Sequence, residues 1–147
     1  MKLSSEMILT LQQLESIGNK TIFKMTSLIN TSITSLEDLY SFLKKQKGKK
    51  IEAITKDDLA NANLLAKRII EKSAEHNIGL ISYYDAEFPD ILRKTINENG
   101  KLDPPLLLWY KGDLSILKMP GIAVIGTREV TPEGVAGGTY ISGEFAK

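Results

Sequence analysis

No cysteine occurs among the 147 residues. Disulfides, thiolate nucleophiles and cysteine-ligated metals are therefore excluded, and the composition suits a reducing compartment. There is one histidine, His76. No metal-ligand or catalytic partner lies at a recognisable spacing from it. It reads as a helix-end residue, where a cation is favourable. Excess charge is missing too, since 19 basic and 18 acidic side chains leave a formal net charge of +1. Without a global basic field, any anion site must be local. Long apolar runs are also missing. Met1 leads into Lys2-Leu3-Ser4-Ser5-Glu6, without the apolar centre of a signal peptide, and nothing is long enough to span a bilayer. The expectation is a cytoplasmic chain with no membrane partner. No internal repeat or low-complexity segment is evident.

What is present is the composition of a globular chain, 42% hydrophobic and 25% charged, with length for one ordinary domain or two small ones. Residues 4–30 carry helical periodicity, with Met7, Ile8, Leu11, Leu14 and Ile17 recurring before a break at Ser16-Ile17-Gly18-Asn19-Lys20-Thr21. Gly18-Asn19 suits a helix C-terminus at positive φ. A second helix then carries Ile22, Phe23, Met25, Leu28 and Ile29. The pair resembles a helix-hairpin-helix unit, whose turn amides can face a DNA phosphate. The plainer reading is an ordinary αα-hairpin.

A third helix is expected at about 34–46, capped by Ser35. It runs into Lys44-Lys45-Gln46-Lys47-Gly48-Lys49-Lys50. Five lysines in seven residues suit a solvated helix end first and a nucleic-acid backbone second. Thr55-Lys56-Asp57-Asp58 resembles a capping box with Asp in place of Glu, and opens a fourth helix that ends near His76-Asn77. Leu59, Ala62, Leu65, Ile69 and Ile70 mark its inner face.

From Ile78 the period changes. Ile78–Tyr83 and Leu106–Tyr110 read as strands, separated by a turn at Asp85–Pro89, a short helical segment at Asp90–Arg93 and a polar loop at Asn97–Lys101. Trp109 and Tyr110 read as core and sheet-surface residues rather than a base-stacking platform. A short helix at about Asp113–Leu117 leads to a third strand, Ile122–Gly126. This order predicts a sheet with helical crossovers, hence an α/β fold class. Glu133 to Lys147 reads as a helix with Ala136, Tyr140, Ile141, Phe145 and Ala146 turned to the sheet. No returning parallel strand follows, so the expectation is an N-terminal piece of a longer protein or a natural truncation. The expected division is 1–76, helical, and 77–147, sheet-containing.

The stretch Gly121-Ile122-Ala123-Val124-Ile125-Gly126-Thr127-Arg128 carries the chemistry. Strand, glycine turn and helix N-terminus together make an anion site, because first-turn amides lack helical partners and the dipole favours negative charge. Gly126 allows a tight turn, Thr127 adds a hydroxyl, and Arg128 adds a forked cation. Thr131 is the expected N-cap, with Pro132 at the first helical position.

Four segments in order and spacing resemble the bacterial DNA-processing protein A (DprA/Smf) family, over most of residues 14–147. They are Ser16–Thr21, Asn77–Ser82 with Asp85, Phe88-Pro89 and Leu92, then Asp103-Pro104-Pro105-Leu106-Leu107-Leu108-Trp109-Tyr110-Lys111-Gly112, and Ile122–Arg128. The resemblance implies a small helical domain of helix-hairpin-helix or SAM-like type, followed by the first part of an extended Rossmann-like domain. It implies binding of single-stranded DNA, usually by a homodimer, and its transfer to a RecA-type recombinase during natural transformation. No catalytic residue, metal or cofactor is implied. Gly126, Thr127 and Arg128 match the family's phosphate-contacting turn, and Gly134 the glycine of its following helix. With Thr131 and Lys111 they form the candidate DNA and phosphate site. The sequence departs from the family at Glu133, a carboxylate in the first helical turn that suits the dipole but repels phosphate.

Two other classes of function stay open at this point. One is a Rossmann-like protein that binds or hydrolyses a nucleotide, with Glu129 or Glu133 as acid or base. No second glycine-rich phosphate loop or paired carboxylate motif supports it. The other is an interaction module whose helical domain binds a protein partner.

Overall fold

The structure, a computed structural model, describes residues 3–15, 17–121, 124–126 and 128–146. In chain order the elements are α1 (Ser5–Gln12), α2 (Asn19–Ser27), α3 (Leu36–Lys44), α4 (Lys49–Glu52), α5 (Lys56–Glu75), β1 (Gly79–Ser82), α6 (Asp90–Arg93), β2 (Leu107–Tyr110), a 3-10 turn (Leu114–Lys118) and α7 (Pro132–Phe145). The fold is mixed and rich in helix, with a small two-stranded sheet.

Polar caps set the helix starts. Ser4 accepts from Met7 N–H at 3.2 Å and Ser35 from Asp38 N–H at 3.1 Å. At α5 the capping is reciprocal. Thr55 Oγ1 accepts from Asp58 N–H at 3.1 Å, and the Asp58 carboxylate accepts from Thr55 N–H at 2.9 Å. Aspartate thus completes the box in place of glutamate. α5 closes on His76 and Asn77, the latter at a left-handed φ of 57°. Asn77 N–H bonds to the Ala74 carbonyl and Ile78 N–H to the Ser73 carbonyl, the two bonds of a Schellman C-cap.

The chain divides into two compact units, residues 1–114 and 115–147. In the first, α1 packs against α5 and α2. Ile8, Leu11, Ile22, Leu39, Leu43 and Leu59 form the heart of one apolar cluster. A polar pin sits beside it, because Asn63 Nδ2 donates to Thr10 Oγ1 at 3.0 Å and to Glu6 Oε1 at 2.9 Å. Leu106, from the residue before β2, is buried in the same cluster. Burial of one such side chain is worth about 2 kcal/mol, so the strand pair belongs to the folding unit of the helices. The division into compact units at Leu114 follows from this shared core.

Several expectations are corrected. Gly18-Asn19 does not end the first helix. Gly18 is the N-cap of α2, in extended backbone at φ −97° and ψ 168°, while α1 ends at Gln12. Ser16 lies outside the described residues. The strands do not form a crossover sheet. β1 and β2 pair antiparallel, with Gly79 opposite Tyr110 and Ser82 opposite Leu107. Their connection holds the single turn of α6 and an isolated bridge between Ile96 and Leu102. Antiparallel neighbours need no crossover helix. On α5 the inner face is Leu59, Ala62, Asn63 and Ala66, whereas Leu65 is exposed.

In the second unit, Ile122 and Ala123 of the expected third strand lie outside the described residues. Val124, Ile125 and Gly126 are in no strand, and Ile125 is 93% exposed. An apolar strand is stable when its amides are paired and its side chains covered, and the Val124 and Ile125 side chains are exposed. The apolar side chains of α7 are likewise uncovered, with Tyr140, Ile141 and Phe145 all exposed.

Candidate functional site

The site expected at the start of α7 is built on its cap. Thr131 has extended backbone, and its Oγ1 accepts from Gly134 N–H at 3.2 Å. Pro132 occupies the first helical position, as expected. These two features change the anion site. Pro132 has no N–H, and the Gly134 N–H is taken by the cap. Among the described residues, Glu133 N–H is the first-turn amide left for a ligand. The dipole still favours negative charge there, but the Glu133 carboxylate sits in the same turn and opposes a second anion. The helix end is therefore a weaker anion site than strand-turn-helix logic predicts. A Cβ on Gly134 would lie 3.3 Å from Val130 Cγ2 and 3.4 Å from Thr131 Oγ1, a tight fit to which the exposed Val130 side chain would have to yield.

Thr127 lies outside the described residues. Its neighbours Gly126 and Arg128 are both exposed, and Arg128 stands in a bend. Gly126 is not at positive φ, and no described atom comes within 4 Å of where its Cβ would be. Neither backbone conformation nor internal crowding demands glycine at this position. Lys111 belongs to the first unit. It is exposed at the end of β2, before Gly112, which turns the chain at φ 100°.

Another feature of the second unit is a groove of about 560 Å³ lined by Pro120, Gly121, Val124, Ser142, Phe145 and Ala146. Among the described residues no charged side chain lines it, and those that do are apolar or neutral. Among the described residues, no group of three or more His, Asp or Glu side chains gathers as a metal would require.

The segment that carries much of the family resemblance has a structural task. Asp85 is 7% exposed. Its Oδ2 accepts from Ser82 N–H at 2.7 Å, Ser82 Oγ at 3.0 Å and Ser5 Oγ at 2.8 Å. The turn after β1 is thereby tied to the start of α1. Arg93 completes it, donating from Nε to the Tyr83 carbonyl at 3.0 Å and from Nη2 to the Asp85 carbonyl. Its guanidinium carbon lies 5.8 Å from the Tyr83 ring centre and 5.6 Å from that of Phe88. Buried Phe88 packs below. Asp85 and Phe88 thus hold the turn and face no open site. Sequence reading placed both residues in the motif but did not find Ser5 or Arg93 as their partners, because those contacts join separate segments.

No curated protein and no solved structure matches the chain. Residues 79–147 match the family model of DNA recombination-mediator protein A. The match starts at the first residue of β1 and takes in the pinned turn, β2 and α7. Over this segment, a little under half of the chain, the protein is similar to the DNA recombination-mediator protein A family.

Proposed function

We propose that the protein binds single-stranded DNA as a recombination mediator and passes it to a RecA-type recombinase. It acts in the cytoplasm as a homo-oligomer and catalyses no reaction. The observation that carries this reading is the family match, which spans every residue of the candidate phosphate site: Lys111, Gly126, Thr127, Arg128, Thr131 and Gly134. Gly126 adds support, because a glycine required by neither φ nor packing leaves room for close approach of a ligand. In this reading Arg128 supplies the fixed charge, Thr127 a hydroxyl and the Glu133 N–H a single amide. Thr131 and Gly134 shape the helix start, and Lys111 offers a cation of its own on the first unit. Residues 77–147 act as a Rossmann-like DNA-processing domain and residues 1–76 as its helix-hairpin-helix or SAM-like companion.

Fluorescence anisotropy with a labelled oligothymidine strand tests the reading. Arg128→Ala should weaken binding at low salt and lower the log–log salt slope by about 0.7, the share of one phosphate contact on a single strand. Equal affinity of the parent and Arg128→Ala at low and moderate salt would refute Arg128 as the phosphate contact.

A further inference from the structure

The seven-residue lysine run does not act as one patch in the structure. Lys44 Nζ donates to the Glu52 carbonyl at 2.7 Å and lies 5.3 Å from the Tyr40 ring centre. Lys45 and Lys50 line two other grooves. Lys47, however, meets Lys20 and Lys24 of α2 along a groove of about 350 Å³, with Met25, Leu28 and Ile51 among the apolar side chains that line it. These three lysines come from segments more than twenty positions apart in sequence, and all are exposed.

No carboxylate lines this groove. Three other grooves of the same unit each carry at least one: Glu15 and Asp58 in the first, Asp38 in the second, Glu37 and Asp57 in the third. The acid nearest in sequence, Glu52, is already engaged. Its carboxylate accepts from Gly48 N–H at 3.0 Å and so fixes the loop that carries Lys47. Gly48 itself sits at φ 143°, where a side chain would be strained. Lys20 has one weak tie, an exposed pair with Asp103 at 3.6 Å. In a chain of near-zero net charge, three convergent cations that share one weak, exposed internal counter-charge mark a place for an external anion.

Lys20 and Lys24 are four residues apart on one helix face, about 6 Å along the axis. Lys47 supplies the third charge from the facing loop. Lysines are flexible point charges without the arginine fork, and no aromatic ring lines the groove for base stacking. This donor set suits a run of phosphates read without regard to sequence. We propose that the groove between α2 and the loop after α3 is a second contact for the sugar–phosphate backbone of single-stranded DNA, on the helical unit and outside the family-matched segment. The inference rests on the DNA-binding reading above but uses none of its site residues.

Anisotropy titration of the full chain with oligothymidine across a salt series tests it. Three phosphate contacts account for about 2 in the log–log slope, or roughly 18-fold in affinity between about 50 and 200 mM salt. The Lys20→Gln, Lys24→Gln, Lys47→Gln variant should lose that increment, and the corresponding triple Arg variant should keep it. An unchanged slope in the Gln variant overturns the groove, as does tighter binding of polyglutamate than of oligothymidine by the parent. Arg128→Ala, run in parallel, separates the two readings. Loss with Gln but not with Arg128→Ala upholds the groove and removes the phosphate turn. The converse removes the groove alone, and no binding by the parent removes both.

Discussion

Replacing Asp85 with alanine should destabilise the first unit more than any surface change. The carboxylate oxygen that accepts three hydrogen bonds disappears, while its donors stay. Ser82 is fully buried, so its N–H and hydroxyl lose an acceptor where water has poor access. Each such orphan costs about 1–3 kcal/mol. Ser5 is half-buried and recovers part of its loss from water. The balance is about 3 kcal/mol, a large share of the roughly 5–15 kcal/mol that holds a domain folded. Urea unfolding followed by circular dichroism should show a lower midpoint with an unchanged slope. Asp85→Asn keeps one oxygen acceptor and should lose only about 1 kcal/mol. Adding Ser5→Ala to Asp85→Ala should cost less than the two single losses together, with a coupling of about 1 kcal/mol. An alanine variant within about 0.5 kcal/mol of the parent would show that the turn does not depend on this carboxylate.

Arg93→Ala should cost about 2 kcal/mol, and Arg93→Lys should recover less than half of it, because one ammonium cannot serve the Tyr83 and Asp85 carbonyls while lying against two rings; thermal melts of the three proteins settle this. Burial pushes the Tyr84 phenol above its usual 10.0, against the lowering effect of the hydrogen bond to Thr26. Its neutral form therefore stabilises the fold fully below pH 10 and ceases to do so as pH rises through the folded-state value. Tyr84→Phe should flatten that alkaline decline in a pH series of urea midpoints, whereas an unaltered decline counts against it. A Cβ on Gly79 would stand 2.3 Å from the Tyr110 Cζ, so Gly79→Ala should cost about 1 kcal/mol, and the loss should vanish in a Tyr110→Ala background. A persistent loss there would place the strain in the backbone instead.

Local chemistry was the legible part of this fold. Ser35, Thr55 and Thr131 all cap where their side chains and following residues predict, because a cap is decided within four positions. The Schellman closure at Asn77 has the same locality. The sheet was less legible. The change of period and the apolar runs mark Ile78–Tyr83 and Leu106–Tyr110 as strands but say nothing of their mutual direction, which packing on the helices decides. Ile125 shows the same limit from the other side, since apolar residues in a row specify a strand only when something pairs and covers them. At the candidate site the Thr131 cap was readable, but its cost to anion binding was not. The Thr131 hydroxyl occupies the Gly134 amide that a phosphate would need. Lys47 was visible as part of a charge run, whereas its meeting with Lys20 and Lys24 depends on how α2 packs against the α3–α4 connection.

Leu106 has a consequence for how the chain is divided in evolution and in the laboratory. The family-matched segment begins at Gly79, yet Leu106 of that segment fills the interior shared with α1 and α5. Inheritance and cooperative folding therefore use different boundaries. A protease acting under native conditions should find its cut in the exposed stretch after Leu114 and spare the junction at Asn77. Amides of β1 and β2 should exchange with solvent on the same timescale as those of α5. Severing the chain where the homologous segment starts would open the helical interior, so the two halves are free to vary only in concert.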